Sequence, residues 1–409
     1  MERFFKCRRT IADKRASPFG AHLDELAEYL AEAGYSRLHG RQQLQLAAEF
    51  GQWLQQWKRP VTEFGLGRLN EFLRDRAKTR RPFQRGTTFF RLLNDLLRRK
   101  GLIGVERSVP QTPVNKVVAG FDRYLCEERC LFAGTVVRYV AFVEDWLTDR
   151  FGDRSVAFSS LTAADVLTYV QRRAPTMGRK TAKLMVSALR SFLQYARYRG
   201  YIRQDLAIGI PPFANWSRTS IPRGIPQQDI RRVLAHCNRR LAVGRRDYAI
   251  LLLLARLGLR AGEVVSLALE DINWEEGRLD VRGKGTATQL PLPPDVGEAI
   301  AAYLKRGRPH SKSRQVFLRS RAPAIAFKDQ RSVGAVVAHA LKRARIDSPR
   351  KGSHQFRHAL ATDMLRRGAS LGEIGELLRH RNVQTTTIYA KVDLGALRSL
   401  VQSWPGAAA

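Results

Sequence analysis

The stretch Arg278-Leu-Asp-Val-Arg-Gly-Lys-Gly285, followed by Ala287-Thr-Gln-Leu-Pro-Leu-Pro293, alternates apolar and polar residues around glycine-rich turns. Alternation with a period of two predicts β-strands with one buried face. Together with the preceding Asp271-Ile-Asn-Trp-Glu-Glu-Gly277, this stretch predicts a small antiparallel sheet. Most of the remaining chain repeats apolar residues at helical spacing, so the expected fold class is mainly α with one small antiparallel β-sheet.

Helical patterns surround the predicted sheet on both sides. Residues 227–267 precede it, and further patterns cover residues 295–305, 333–344, 354–366 and 371–379. The run Ala249–Leu259 is apolar on nearly every side, which is typical of a buried central helix. The sequence therefore predicts a helical domain built around that central helix.

Two proline-containing stretches divide the chain into three blocks. The prolines of Val109-Pro-Gln-Thr-Pro113 are typical of a linker, and Pro211-Pro212 stops any helix before a Pro- and Arg-containing stretch that runs to Pro226. We predict an N-terminal helical DNA-binding module over residues 1–108, a helical domain over 113–212 and a third domain over 220–409. In the middle block, Thr162 followed by Asp165 predicts a capped helix start.

The first block resembles a faint copy of the second. Tyr29-Leu30, Trp53-Leu54 and Gly101-Leu102-Ile103 have counterparts 95, 93 and 99 residues later, at Tyr124-Leu125, Trp146-Leu147 and Gly200-Tyr201-Ile202. We interpret this as a diverged duplication of one helical module. The alternative, which stays open, is that any two amphipathic helical bundles resemble each other this much.

The charge balance indicates a polyanionic partner. The 71 Lys and Arg exceed the 37 Asp and Glu, which leaves a net charge of +34 on 409 residues. Such an excess repels itself in a compact protein unless an anion is normally bound, and nucleic-acid phosphates can be neutralised by dispersed Lys and Arg. The proportions of apolar residues, 44%, and charged residues, 26%, exclude a disordered or fibrous chain.

The sequence contains no signal for a membrane or for secretion. The longest apolar run, Ala249–Ala255, is far shorter than the roughly 20 residues needed to span a bilayer. The start, Met1-Glu-Arg-Phe-Phe-Lys-Cys7, has no apolar core of signal-peptide length. The four cysteines form no paired C-x-x-C motif, which favours a reducing compartment. We expect a cytoplasmic, nucleoid-associated protein without a membrane partner.

The third block contains the groups that phosphodiester chemistry needs: fixed positive charge, a nucleophile and a proton for the leaving oxygen. In chain order they are Arg260, Glu263, Lys284, His354, Arg357, His380 and Tyr389. Taken singly, each of these residues has a simpler explanation. Arg260 and Glu263 could form only a structural ion pair, and Lys284 could be only a solvated residue in a turn. A basic-flanked histidine ordinarily faces DNA, and a tyrosine in an apolar pattern is ordinarily a core residue.

In combination these residues resemble the tyrosine recombinase (phage integrase) family. The resemblance covers residues 226–401 and rests on three motifs, Gly258-Leu-Arg-Ala-Gly-Glu263, His354-Gln-Phe-Arg-His-Ala-Leu-Ala-Thr362 and Thr385-Thr-Thr-Ile-Tyr-Ala-Lys391. The middle block resembles, less specifically, the family's helical core-binding (SAM-like) domain. The resemblance implies a C-shaped clamp in which two domains embrace duplex DNA, and favours a mobile-element integrase or transposase.

The resemblance also implies a role for each residue. The catalytic set would be Arg260, Lys284, His354, Arg357, His380 and Tyr389, with Glu263 supporting Arg260. Tyr389 would attack a backbone phosphate and form a covalent 3′-phosphotyrosyl intermediate. Because a phenol with a pKa of about 10 is a poor nucleophile at neutral pH, we expect a neighbouring residue, His354, to accept its proton. Lys284 would protonate the leaving 5′-hydroxyl.

The implied activity is site-specific DNA recombination without a cofactor or a metal. Fixed cations would replace a metal, and the sequence shows no carboxylate cluster suited to Mg²⁺. The implied partners are double-stranded DNA, further copies of the chain in a homotetramer on paired sites with a Holliday junction between them, and partner recombinases. The apolar stripe over residues 394–404 would pack on a neighbouring protomer, or alternatively on its own domain.

Two alternative functions stay open. A type IB topoisomerase would use the same covalent chemistry to release supercoils, and a catalytically silent DNA-binding regulator would use none, although all six positions hold chemically competent residues. The chain departs from the family in one motif, since Leu378-Arg-His-Arg381 replaces the common Leu-Gly-His-Ser. Arg379 lacks the freedom of glycine to adopt left-handed backbone angles, and this bears on the placement of His380.

Overall fold

A computed structural model describes residues 1–58, 66–79, 93–94, 97–98, 112–210, 224–283, 287–348, 352–380 and 382–392. The chain divides into two compact units, one made of residues 1–103 and 220–409 and the other of residues 104–219. The predicted linker residues 109–111 and the stretch 211–223 lie outside the described residues. The two boundaries between the three predicted domains therefore stay predictions.

The N-terminal part of the first unit is helical, as expected. Its helices are α1 (Arg8–Arg15), α2 (Gly20–Glu32), α3 (Arg37–Gln56) and α4 (Leu66–Thr79). Apolar residues spaced three and four apart bury one face of α2 and of α3, and Phe19 stacks on Phe50 between them. Ser36 begins α3 by accepting a hydrogen bond from the backbone N–H of His39 at 3.4 Å.

The second unit is a separate helical bundle. It contains α5 (Pro113–Arg123), a π-turn (Tyr124–Glu128), α6 (Ala133–Phe151), α7 (Ala163–Arg173) and α8 (Arg179–Tyr198). The predicted start of α7 is confirmed, because Thr162 and Asp165 form a reciprocal capping box with bonds of 2.9 and 3.3 Å. In the core of this second unit, the rings of Phe121 and Phe192 meet edge to face.

The proposed duplication stays a prediction. Leu30 and Leu54 are buried in the hydrophobic core of the N-terminal helices, and their counterparts Leu125 and Leu147 are buried in the core of the second unit. Residues 101–103, the third matched stretch, lie outside the described residues.

The C-terminal part of the first unit holds the predicted sheet. Strands β1 (Ile272–Asn273), β2 (Arg278–Arg282) and β3 (Ala287–Pro291) pair antiparallel in that order. Leu279 lies opposite Leu290, and Leu279, Val281 and Leu290 are all buried, as the alternation predicted. The small antiparallel sheet in a mainly helical chain is therefore confirmed.

Helices pack around that sheet and around one central helix. They are α9 (Gln227–Ala235), α10 (Ala242–Arg256), α11 (Ala261–Ser266), α12 (Pro294–Arg306), α13 (Gln330–Arg343), α14 (His354–Arg366) and α15 (Leu371–Leu377), followed by a 3-10 helix (Val383–Val392). Residues 249–254 of α10 are all buried, and α10 packs against α12 and α14. Among the described residues, no helix is long and apolar enough to cross a membrane.

The predicted central helix ends earlier than its apolar run. The run continues to Leu259, but α10 stops at Arg256 because Gly258 adopts a left-handed φ of +58°. A Cβ at position 258 would lie 2.7 Å from Cδ2 of Leu378, so glycine also permits a close approach there. The turn at Gly258 directs the next residues, Leu259 and Arg260, away from the helix axis.

Candidate active site

Arg260 stands at the turn between α10 and α11, where its position is fixed by Glu263. The carboxylate of Glu263 accepts hydrogen bonds from the Arg260 backbone N–H at 2.8 Å and from its Nη1 at 2.7 Å. The Arg260 side chain is 38% exposed, whereas that of Glu263 is 5% exposed. The i,i+3 ion pair expected from the sequence is therefore present, and it leaves part of the Arg260 guanidinium open to a ligand.

Glu263 is shared with a second arginine that sequence reasoning did not assign to it. Nη2 of Arg379 lies 2.9 Å from Oε2 of Glu263, and both side chains are almost fully buried. Burial alone would raise the pKa of the Glu263 carboxyl, but the backbone hydrogen bond from Arg260 and the charges of Arg379 and Arg260 lower it below its ordinary value. Glu263 is therefore charged at neutral pH.

Arg357, in the first turn of α14, is 4% exposed. It donates hydrogen bonds to two backbone carbonyls that are distant in the sequence. Its Nη1 donates to the carbonyl of Gly258 at 2.6 Å, and its Nη2 donates to the carbonyl of Leu378. Burial, followed by the charges of Arg260 and Arg379, lowers the pKa of Arg357 to about 9, so the group stays charged at neutral pH. A buried charge of this kind is stable only with such partners or with an anion.

The carboxyl end of α15 joins both predicted phosphate-binding arginines. The carbonyl of Leu378 accepts from Arg357, and the carbonyl of Arg379 accepts from Nη2 of Arg260 at 3.3 Å. The last carbonyls of a helix lack partners within it and carry partial negative charge. The two guanidiniums are therefore gathered at one helix end, although they lie 97 residues apart in the chain.

Tyr389 is buried in the 3-10 helix, with 1% of its surface exposed. Its hydroxyl lies 2.9 Å from Nδ1 of His358, and its ring packs with Ile374 and Leu378. Burial raises the pKa of Tyr389 to about 12, and the charge of Arg357 opposes that rise. Its phenol is therefore neutral at rest and needs a proton acceptor before it can act as a nucleophile.

His380 lies beside Tyr389, with their rings nearly parallel and their centroids 6.5 Å apart. Its Nδ1 is 2.7 Å from Oγ1 of Thr386. Burial and the charges of Arg357, Arg260 and Arg379 lower the pKa of His380 to about 4. Burial and the charges of Arg357 and Arg260 also lower the pKa of His354 below its ordinary value. His380 is therefore a neutral hydrogen-bonding group at neutral pH.

This pKa shift predicts a pH dependence of stability. Between pH 6.5, the ordinary value, and about pH 4, the unfolded chain binds a proton at residue 380 that the folded chain does not. We expect the urea midpoint of unfolding to fall as the pH drops from 7 to 5. In His380→Asn the fall should be smaller, with the exposed His339→Gln as the matched control. Equal pH dependence in all three proteins would contradict the assignment.

The structure brings most of the predicted site residues together. Arg260, Glu263, Arg357, His380 and Tyr389 are linked through the hydrogen bonds, ring contacts and charges given above. His354 begins α14, with its ring centroid 6.5 Å from that of His358. Lys284, which stands between β2 and β3 in the sequence, lies outside the described residues.

His358 is the residue that sequence reasoning missed. The hypothesis from the sequence assigned the phenolic proton to His354, but the structure records Nδ1 of His358 as the hydrogen-bond partner of the Tyr389 hydroxyl. The signal was present in the motif, because His358 follows Arg357 directly and stands four residues after His354 on the same helix face.

The assembled groups can bind an anion and deprotonate a phenol. Two forked guanidiniums can give paired hydrogen bonds to a phosphate, which the point charge of a lysine cannot reproduce. Within the part of the chain that the structure describes, no group of three or more His, Cys, Asp or Glu side chains could hold a metal ion.

Two family models match the chain. The phage integrase family model matches residues 223–394, which contain the whole site, and the model of the phage integrase N-terminal SAM-like domain matches residues 118–200. The second match falls in the middle helical unit. Both resemblances stated from the sequence are confirmed.

Individual relatives agree with the family models. A putative integrase/recombinase, y4rA of Sinorhizobium fredii, is 47% identical over 393 residues, which cover 96% of each chain. The tyrosine recombinase XerD of Proteus mirabilis is 31% identical, over 67% of this chain and 88% of its own. A lambda integrase tetramer bound to a Holliday junction has the same fold, with a TM-score of 0.52 and 13% identity over 75% of this chain and 87% of its own. The chain therefore belongs to the phage integrase family of tyrosine recombinases and is a site-specific recombinase.

Proposed function

We propose that this recombinase cuts and rejoins double-stranded DNA through a covalent bond between the Tyr389 oxygen and a 3′-phosphate. The observation that carries the proposal is the Tyr389 hydroxyl, which lies 2.9 Å from a histidine nitrogen beside the buried charge of Arg357. In support, the nitrogen of a neutral histidine can accept the phenolic proton, and the positive charge of Arg357 favours the phenolate.

The chemical step moves one proton at each end of the phosphate. As the Tyr389 oxygen bonds to phosphorus, its proton passes to Nδ1 of His358, and the bond from phosphorus to the 5′ oxygen breaks. The leaving oxygen takes a proton from Lys284 and departs as a free 5′-hydroxyl. The step exchanges the phosphodiester of the DNA for a phosphodiester between DNA and Tyr389, so it consumes no high-energy cofactor.

Arg260 and Arg357 would stabilise the charge that develops on the phosphate. A guanidinium carries five N–H donors, and each of these two uses two of its groups, Nη1 and Nη2, on the protein contacts described above. The remaining donors are held in place before DNA arrives, because Glu263 and three carbonyls fix the planes of the two forks. Such preorganisation is ordinarily the largest contribution to catalysis in a site of this kind.

Strand exchange requires that a 5′-hydroxyl from a second duplex reverse the phosphotyrosyl bond. We propose that four copies of the chain act on two paired DNA sites, by analogy with the lambda integrase tetramer on its Holliday junction. We also propose an integrase or transposase of a mobile element that works on DNA in the cytoplasm. In support, the relative named integrase/recombinase matches 96% of this chain, including its first block.

The test uses two labelled duplexes, one of which carries a nick that traps the cleaved strand. We expect a protease-sensitive covalent adduct on the 3′ side of the break and, with unnicked DNA, recombinant products. On closed circular DNA in parallel, relaxation of supercoils without recombinant product would favour a type IB topoisomerase. DNA binding without any adduct would favour the silent regulator and contradict the proposal.

A further inference from the structure

Arg379 has a backbone conformation that arginine rarely adopts. Its φ is +54°, in the left-handed region, and it ends α15 with bonds from its own N–H to the carbonyl of Glu376 and from the N–H of His380 to that of Gly375, both 2.9 Å. Glycine ordinarily fills this position at a helix end, because a Cβ there lies too close to the following carbonyl oxygen. An unfavourable conformation kept at a functional site raises the question of what the side chain contributes.

The Arg379 side chain turns inward, to the carboxylate that holds Arg260. It is 8% exposed, its Nη2 lies 2.9 Å from Oε2 of Glu263, and its Nη1 donates to the carbonyl of Leu377 at 3.1 Å. Its Nε is buried without a hydrogen-bond partner among the described residues. The helix end itself needs none of these contacts, since its turn is closed by backbone bonds alone.

The charges explain why a third guanidinium matters here. The Glu263 carboxylate contacts both Arg260 and Arg379, and without Arg379 its negative charge would act on Arg260 alone. The positive charge of Arg260 would then be largely neutralised by Glu263, and Arg260 would attract an incoming phosphate only weakly. With Arg379 present, one carboxylate stands among three guanidiniums, and the pocket keeps a net charge of about +2 when its histidines are neutral.

We propose that Arg379 is a positioning residue of this recombinase, which holds the Glu263 carboxylate in place and offsets its charge so that Arg260 can bind the DNA phosphate. The proposal rests on the proposed function, because it assumes that Arg260 meets the scissile phosphate. It assigns this role to the side chain of Arg379; the backbone carbonyl that accepts from Arg260 would remain with any residue that tolerates a left-handed conformation.

The test compares Arg379→Gly with Arg379→Lys on the nicked substrate. Glycine keeps the turn and removes the charge, so we expect the single-turnover cleavage rate to fall by about 10- to 100-fold, while DNA affinity and the unfolding midpoint stay close to wild type. Lysine restores the charge and should recover a measurable part of the rate. A glycine variant that cleaves at the wild-type rate, or one that loses stability and affinity together with cleavage, would overturn the proposal.

A double-mutant cycle tests whether Arg379 acts through Glu263. In a Glu263→Gln background there is no carboxylate charge to offset, so adding Arg379→Gly should lower the rate by less than about 3-fold. An equal loss in both backgrounds would show that Arg379 does not act through Glu263. If wild-type protein forms no adduct at all, the proposed function fails first and this inference fails with it, whereas an active wild type with an active glycine variant refutes the inference alone.

Discussion

Tyr389→Phe is expected to bind DNA as wild type does and to form no covalent adduct on a nicked substrate. The variant removes one oxygen and leaves a ring that is 1% exposed, so the packing against Ile374 and Leu378 should persist. It loses one hydrogen bond, to Nδ1 of His358, which ordinarily contributes about 1 kcal/mol to stability. Denaturing gel electrophoresis should therefore show adduct below about one part in 10⁴ of wild type.

Tyr303→Phe is the matched control for this variant. Tyr303 is also buried in the first unit, and its hydroxyl accepts one hydrogen bond, from the backbone N–H of Leu318 at 3.3 Å. The control should lose a similar amount of stability and keep cleavage. An adduct that persists in Tyr389→Phe would identify another residue as the nucleophile.

Arg357→Lys is expected to lower the cleavage rate by about 10²- to 10³-fold, the loss typical of removing one preorganised donor from a site that stabilises developing negative charge. Lysine keeps the charge, but it lacks the planar fork of a guanidinium. It therefore cannot donate to the carbonyls of Gly258 and Leu378 and to a phosphate at the same time. We expect DNA affinity to change only a few-fold, because one point charge among many phosphate contacts is retained.

Lysine is chosen over alanine because Arg357 also supports the fold. Alanine would leave two buried carbonyls without donors and would open a cavity at a residue that is 4% exposed. A lysine variant that cleaves as fast as wild type, measured in single turnover at saturating protein, would remove Arg357 from the proposed mechanism. Unfolding by urea, measured in parallel, separates lost chemistry from lost structure.

Local patterns in the sequence were enough to predict several elements of the fold and one ion pair of the site. Alternation predicted strands β2 and β3, and the capping box at Thr162 was readable because its two partners stand three residues apart. The ion pair between Arg260 and Glu263 was predictable for the same reason. Each of these features depends on neighbours within one helical turn or one strand.

The contacts that assemble the site were not predictable, because they join distant parts of the chain. His358 meets Tyr389 across 31 residues, and Arg357 reaches the carbonyl of Gly258 across 99. A left-handed arginine could not be expected from local patterns either, since that conformation is unfavourable for a residue with a Cβ, and the ion pair of its side chain with Glu263 joins residues 116 apart. Only the packed structure shows which of several histidines faces the phenol.

The enclosure of Tyr389 has a consequence for the protein when it holds no target. Burying a ring of this size ordinarily stabilises a protein by about 2 to 3 kcal/mol, so exposing Tyr389 without a ligand is unfavourable. Chance encounters along a chromosome would thus rarely find the reactive oxygen uncovered. If Tyr389 is the nucleophile, as proposed, the same packing would also limit unwanted cleavage of other DNA.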